Sequence, residues 1–163
     1  MKKINVLIST FFGYGYITKI PGTVASLVTA IFIYIAYEHL GYTDLKFSII
    51  FFTLLFFYSF YAVKDAESEF KNKDPRQIVI DEVLGQAMPL ILILHLSQNN
   101  QLSLPIEIYY ALSFLFFRFF DIIKPFPVSY FDKNFKNYFG IIMDDIMAGL
   151  YSMLLIYLIS LKF

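Results

Sequence analysis

The chain contains no cysteine. That excludes disulfides, thiolate nucleophiles and sulfur-held zinc together, and leaves the redox compartment open. Charge is scarce as well. Only 16% of residues are Asp, Glu, Lys or Arg, where a soluble domain carries about 25%. A basic excess is also missing, because thirteen Lys and Arg balance thirteen Asp and Glu. No nucleic-acid partner is therefore expected. At the N-terminus, Met1-Lys2-Lys3 leads through Ile4–Phe12 into Gly13-Tyr14-Gly15-Tyr16. The apolar core is short and no small-residue cleavage site follows, so this reads as a retained stretch lying along a membrane surface rather than a signal peptide. No internal repeat, low-complexity tract or composition break divides the chain, and one domain over residues 1–163 is expected.

What the chain has in abundance is apolar surface: 58% of it is hydrophobic, with twenty Phe and thirteen Tyr. The apolar residues fall into five runs, Thr23–Leu40, Phe47–Val63, Val83–Leu96, Leu104–Phe120 and Ile146–Leu161. A membrane span needs about 20 residues, with a floor near 17. The third run falls below that floor and also fits a helix buried among the others. The expected fold is all-α, a polytopic membrane bundle of about five hydrophobic helices. If all five cross, the loops alternate sides, and eleven basic residues gather on one face against two, Lys46 and Lys162, on the other. The positive-inside rule makes the first face cytoplasmic. Ten of the thirteen acids share it. Spans this thin also leave room for a homo-oligomer.

Four segments on that face carry chemistry. Lys19-Ile20-Pro21-Gly22-Thr23-Val24-Ala25-Ser26 opens the first span. Pro suits a helix start, free N–H groups there attract phosphate, and Thr23 and Ser26 offer hydroxyls. A plain capped helix start accounts for the same residues. Asp81-Glu82 stands between apolar segments before the third span. One acid at a helix start is explained by the helix dipole, but two adjacent ones are not. Arg118 and Asp121, three apart, fit one helix face, and Lys124-Pro125 follows. They read either as a terminal salt bridge or as a phosphate-binding cation beside a metal-binding acid. Asp144-Asp145 opens the fifth span, with Ala148-Gly149 a turn later leaving room for close packing. Asp65 and Glu69, four apart, read as a solvated helix end, and the Tyr130–Phe139 stretch around Asp132 as an interfacial segment.

Clustered carboxylates repel unless a cation joins them. Asp81, Glu82, Asp121, Asp144 and Asp145 are therefore the candidate catalytic and metal-binding residues. Lys19, Thr23, Ser26, Arg118 and Lys124 are the candidate substrate-binding ones. A hard ion such as Mg²⁺ suits an all-oxygen site that also takes phosphate. Without Cys, and with His39 and His95 at the opposite ends of their spans, the chemistry that remains is metal-assisted attack on a phosphate by water or, less readily, by one of these carboxylates. The rival expectation is a small ion-coupled transporter, which would place its acids near the membrane midplane.

In this order the segments resemble the phosphatidylglycerophosphatase A family. The shared pattern runs through Gly13, Gly15, Pro21-Gly22-Thr23 and Ser26, then Ile78 to Gly85, Phe117 to Pro127, Phe131-Asp132, and Gly140 to Gly149. The resemblance covers nearly the whole chain. It implies a Mg²⁺-dependent lipid phosphatase of the bacterial inner membrane that converts phosphatidylglycerophosphate to phosphatidylglycerol. The stretch Lys136-Asn137-Tyr138-Phe139 departs from the Gly-rich sequence often found there, which bears on loop geometry more than on chemistry.

Overall fold

A computed structural model describes residues 2–70 and 75–162 of the chain. Lys71, Lys73 and Asp74, three of the charges counted above, lie outside the described residues. Those described form seven α-helices and no strand. Helix α1 spans Lys2–Ser9. Helix α2 starts at Pro21, runs to Tyr34 and continues as a π-helical turn, Ile35–His39. Helix α3 spans Leu45–Glu67 and is capped by Asp44, whose carboxylate accepts the Phe47 N–H at 3.0 Å. Helices α4 (Ile80–Gln98), α5 (Ile106–Ile123), α6 (Val128–Asn134) and α7 (Tyr138–Lys162) complete the bundle.

Four stretches are long and apolar enough to cross a membrane: Pro21–His39, Leu45–Glu67, Ile80–Gln98 and Tyr138–Leu161. The expected count of five is thus approximate. Helix α5 has the length, but its eighteen residues include Glu107, Arg118 and Asp121, and intramembrane charge is costly. The third run is longer than its apolar core suggested. It starts at Ile80, so Asp81 and Glu82 lie inside the helix rather than before it.

Helices α4 and α7 form the centre. Of the apolar window of α4, 61% is buried, against 17% of that of α3. Leu84, Leu90 and Ile93 of α4 and Ile142 and Ile156 of α7 are fully buried. Small residues let the two backbones meet. A Cβ on Gly85 would lie 2.6 Å from the Asp145 carbonyl oxygen, and one on Gly149 would lie 2.5 Å from the Gly85 carbonyl oxygen. Pro89 has no N–H to offer that Gly85 carbonyl. A turn deeper, a buried polar layer ties three helices together. Gln86 Nε2 donates to Ser113 Oγ at 3.3 Å, and Ser152 Oγ donates to the Ser113 carbonyl at 3.2 Å.

The N-terminal stretch is a helix held against α3. Asn5 Nδ2 donates to Asp65 Oδ2 at 2.7 Å, the Tyr58 hydroxyl donates to Asn5 Oδ1 at 2.7 Å, and Lys2 pairs with Glu69 at 2.9 Å. Asp65 and Glu69 are therefore docking partners for α1 rather than a merely solvated helix end. Ile4, Leu7 and Phe12 remain exposed.

Candidate active site

One end of the bundle collects the starts of α2, α4 and α7 and the end of α5. A cavity of about 410 Å³ opens there. Nine of the ten residues singled out above line it: Lys19, Thr23, Asp81, Glu82, Arg118, Asp121, Lys124, Asp144 and Asp145. Ser26 does not. It is fully buried one turn below, donates to the Gly22 carbonyl at 2.8 Å, and accepts from Arg118 Nη1 at 3.5 Å.

The local reasons are simple. Asp81 and Glu82 occupy the first turn of α4. Gly85 lies four residues after Asp81, and Gly149 four after Asp145, so each glycine shares a helix face with its carboxylate. The close approach at Gly85 and Gly149 thereby brings α4's acids against α7's. Oxygens of Asp81, Glu82 and Asp145 all lie within 4.8 Å of one another. Glu82 in turn fills the space beside Gly22, where any Cβ would collide with its carboxylate.

The other two acids are engaged differently. Arg118 Nη1 pairs with Asp121 Oδ2 at 2.6 Å, as the spacing of three suggested. Lys124 Nζ bridges Asp144 Oδ2 at 2.7 Å and Asp132 Oδ1 at 2.8 Å. Burial alone would lower the Lys124 pKa, but the two carboxylates outweigh it and hold it above its ordinary value. Partial burial would raise Asp132, but the hydrogen bond and charge of Lys124, with help from Lys136, hold it below the usual carboxylate range. Lys124 reaches both acids from a left-handed backbone, φ 49°, at the C-cap of α5. That conformation is uncommon outside glycine and is a sign of local constraint.

Three charged lining residues were not among the ten candidates: Arg76, Lys136, and Asp132, which the sequence marked only within an interfacial segment and the family pattern. Asp132 and Lys136 did offer a signal, since they stand four apart and pair at 3.6 Å. Asp132 also sat within the Phe-Asp of the family pattern. Arg76 offered none, being one exposed residue of a loop.

An all-oxygen cluster invites a hard cation, and the surroundings fit one. Asp81 Oδ1 and Glu82 Oε2 are buried without a hydrogen-bond partner among the described residues. The nearby Arg118 and Lys124 are committed to other carboxylates. Six acids line the cavity against five Lys and Arg, so charge balance also calls for a cation. Such a set could hold a metal ion. Helix α2 contributes a different feature. Its N-terminus has no side-chain cap, which leaves first-turn N–H groups at Gly22 and Thr23 beside the cavity. No Asp or Glu among the described residues lies in the middle of a long helix, where a transporter path would need them.

The comparisons with known proteins point the same way. The chain is 34% identical to phosphatidylglycerophosphatase A of Haemophilus influenzae over 98% of this chain and 94% of that protein. It is 28% identical to phosphatidylglycerophosphatase A of Escherichia coli over 94% of this chain and 82% of that protein. It is also 36% identical, over 94% of this chain and 91% of the relative, to a Bacteroides thetaiotaomicron protein provisionally named a phosphatidylinositol-3-phosphatase. No solved structure matches the chain. The family model of phosphatidylglycerophosphatase A matches residues 7–160, and with the site's geometry on the same residues, the chain belongs to that family.

Proposed function

We propose that this chain is a single integral membrane phosphatase domain, residues 1–163, that hydrolyses phosphatidylglycerophosphate to phosphatidylglycerol and phosphate. The observation that carries this reading is the meeting, in one cavity, of a close carboxylate trio, two of whose buried oxygens lack a hydrogen-bond partner among the described residues, with paired cations and an uncapped helix start. Asp81, Glu82 and Asp145 would hold Mg²⁺. When bound, that ion supplies positive charge to phosphate oxygens and acidity to a water. Arg118 and Lys124, fixed by Asp121 and Asp144, present donors to the terminal phosphate. The Thr23 hydroxyl and the first N–H groups of α2 add neutral donors. Water attacks phosphorus, the bond from phosphorus to the glycerol oxygen breaks, and that oxygen leaves as the alcohol with the proton relayed from the attacking water. Asp121 and Asp144, outside the trio, would accept the proton of the attacking water. Neither His nor Cys lines the cavity, which fits direct attack by water better than a covalent intermediate on those residues.

The described basic residues at the site end, Lys19, Arg76, Arg118, Lys124 and Lys136 among them, favour a cytoplasmic orientation in a bacterial inner membrane. The test is phosphate release from phosphatidylglycerophosphate by purified protein in detergent, first with Mg²⁺ and then with EDTA. Phosphatidylinositol 3-phosphate is assayed in parallel, because one relative carries that substrate in its name. Mg²⁺-dependent release from phosphatidylglycerophosphate supports the proposal. Release from the inositol lipid alone would move the substrate, and no release from either lipid by folded protein would end the phosphatase reading.

A further inference from the structure

The five cations lining the cavity divide into two groups. Arg118 is bound to Asp121, Lys124 to Asp132 and Asp144, and Lys136 to Asp132. Lys19 and Arg76 also line the cavity, both are exposed, and neither has an ion-pair partner among the described residues. Lys19 directly precedes the uncapped start of α2, and Arg76 directly precedes Gln77 and the buried Ile78–Val79 that lead into α4. Arg118 and Lys124 are thus compensated and held, Lys136 is exposed but paired, and Lys19 and Arg76 are exposed with no ion-pair partner among the described residues.

A phospholipid whose headgroup ends in a phosphomonoester carries two phosphates. One is the terminal group that is cut. The other is the diester joining headgroup to diacylglycerol, which stays nearer the lipid. Resting on the lipid phosphatase reading above, we infer that Lys19 and Arg76 form a second phosphate subsite that binds the diester while the terminal phosphate occupies the Arg118–Lys124 end. The charge pattern favours this division. A buried, acid-paired cation suits a reacting group beside a metal site, whereas an exposed, unpaired Lys or Arg gains from an anion that remains partly hydrated. The subsite would let the enzyme read the diester as well as the monoester, and so distinguish its lipid from small phosphomonoesters.

The test uses the full-length protein carrying Lys19→Gln and Arg76→Gln together. Both residues are exposed, so folding should survive. Two inhibitors separate the subsites: phosphatidylglycerol, which keeps only the diester, and inorganic phosphate, which mimics only the terminal group. The expected result is a rise in KM of about five- to tenfold, with a smaller change in kcat. Inhibition by phosphatidylglycerol weakens by a similar factor, inhibition by phosphate does not change, and Lys19→Arg keeps the wild-type pattern. Equal weakening by both inhibitors, or unchanged inhibition by phosphatidylglycerol, overturns the subsite. If wild-type protein releases no phosphate, the phosphatase reading fails by itself. The subsite is then read by direct binding of phosphatidylglycerol against diacylglycerol in detergent, and equal phosphatidylglycerol retention by wild type and variant overturns it.

Discussion

At the residue scale, the site depends on groups that are costly to keep. Asp81 and Asp145 are 8% and 3% exposed, and a buried carboxylate without a partner is strongly unfavourable. Asp81→Asn or Asp145→Asn should therefore lower phosphate release by more than about a hundredfold, with the melting temperature in EDTA unchanged or raised. Retained turnover in both would rule out the trio as the metal site. Asp132 bears on stability through pH. Its pKa is held below the ordinary carboxylate value, so its contribution is present above the unfolded value of about 3.9 and is lost as pH falls through the lower folded value. Melting curves of wild type and Asp132→Asn in detergent should differ most above about pH 4 and converge toward pH 2. The carboxylate pairs were legible in the sequence because each interrupts apolar residues. Arg76 was not, because its place at the cavity comes only from how the 75–79 loop folds against its neighbours. Ser26 lies below the cavity, where its hydroxyl donates to the backbone of its own helix, a common use of Ser within a helix.

Helices carry the next level of argument. The apolar runs marked α2, α3, α4 and α7 because burial and lipid both select the same residue types. They placed the boundaries poorly wherever charge enters a helix. Asp81 and Glu82 stood before the third run in sequence yet lie in the first turn of α4, and Asp144 and Asp145, read as opening the fifth span, lie inside α7, which starts at Tyr138. Helix α6 escaped notice because seven residues of mixed aromatics and Lys have no clear period. What the pattern did show correctly was the room left by Ala148-Gly149. That room is used at Gly85, where α4 and α7 touch backbone to backbone. Gly149→Leu should push α7 from α4, at a cost of about 1–3 kcal/mol from overpacking, and pull Asp145 away from Asp81 and Glu82. Mg²⁺-dependent turnover should vanish and the melting temperature fall. Leu150→Ala on the exposed neighbouring position should change neither, and wild-type activity in Gly149→Leu would show that the contact does not set the trio.

For the whole molecule, the informative feature is polarity from end to end. The cavity, its cations and its acids lie at one end, while the turn containing Thr43 and the end of α4 meet at the other through the Gln98 side chain and the Thr43 carbonyl. The missing cysteines make orientation easy to measure. Single Thr43→Cys and Lys133→Cys variants in intact cells should react oppositely with a membrane-impermeant maleimide. Thr43→Cys should label from outside, and Lys133→Cys only after the membrane is opened. The reverse pattern would place the cavity on the outer face.

Asp81 and Glu82 belong to one helix and Asp145 to another, so an ion among them would act as a clasp between two separately inserted parts of the chain. Binding that favours the folded state adds stability by mass action, about 2.7 kcal/mol at a hundred times the dissociation constant. Mg²⁺ should therefore raise the melting temperature of the wild type and leave that of Asp145→Asn unmoved. Heat resistance would then gauge ion occupancy. A cell starved of the ion would hold this chain not merely idle but loosened at the end where its lipids must arrive.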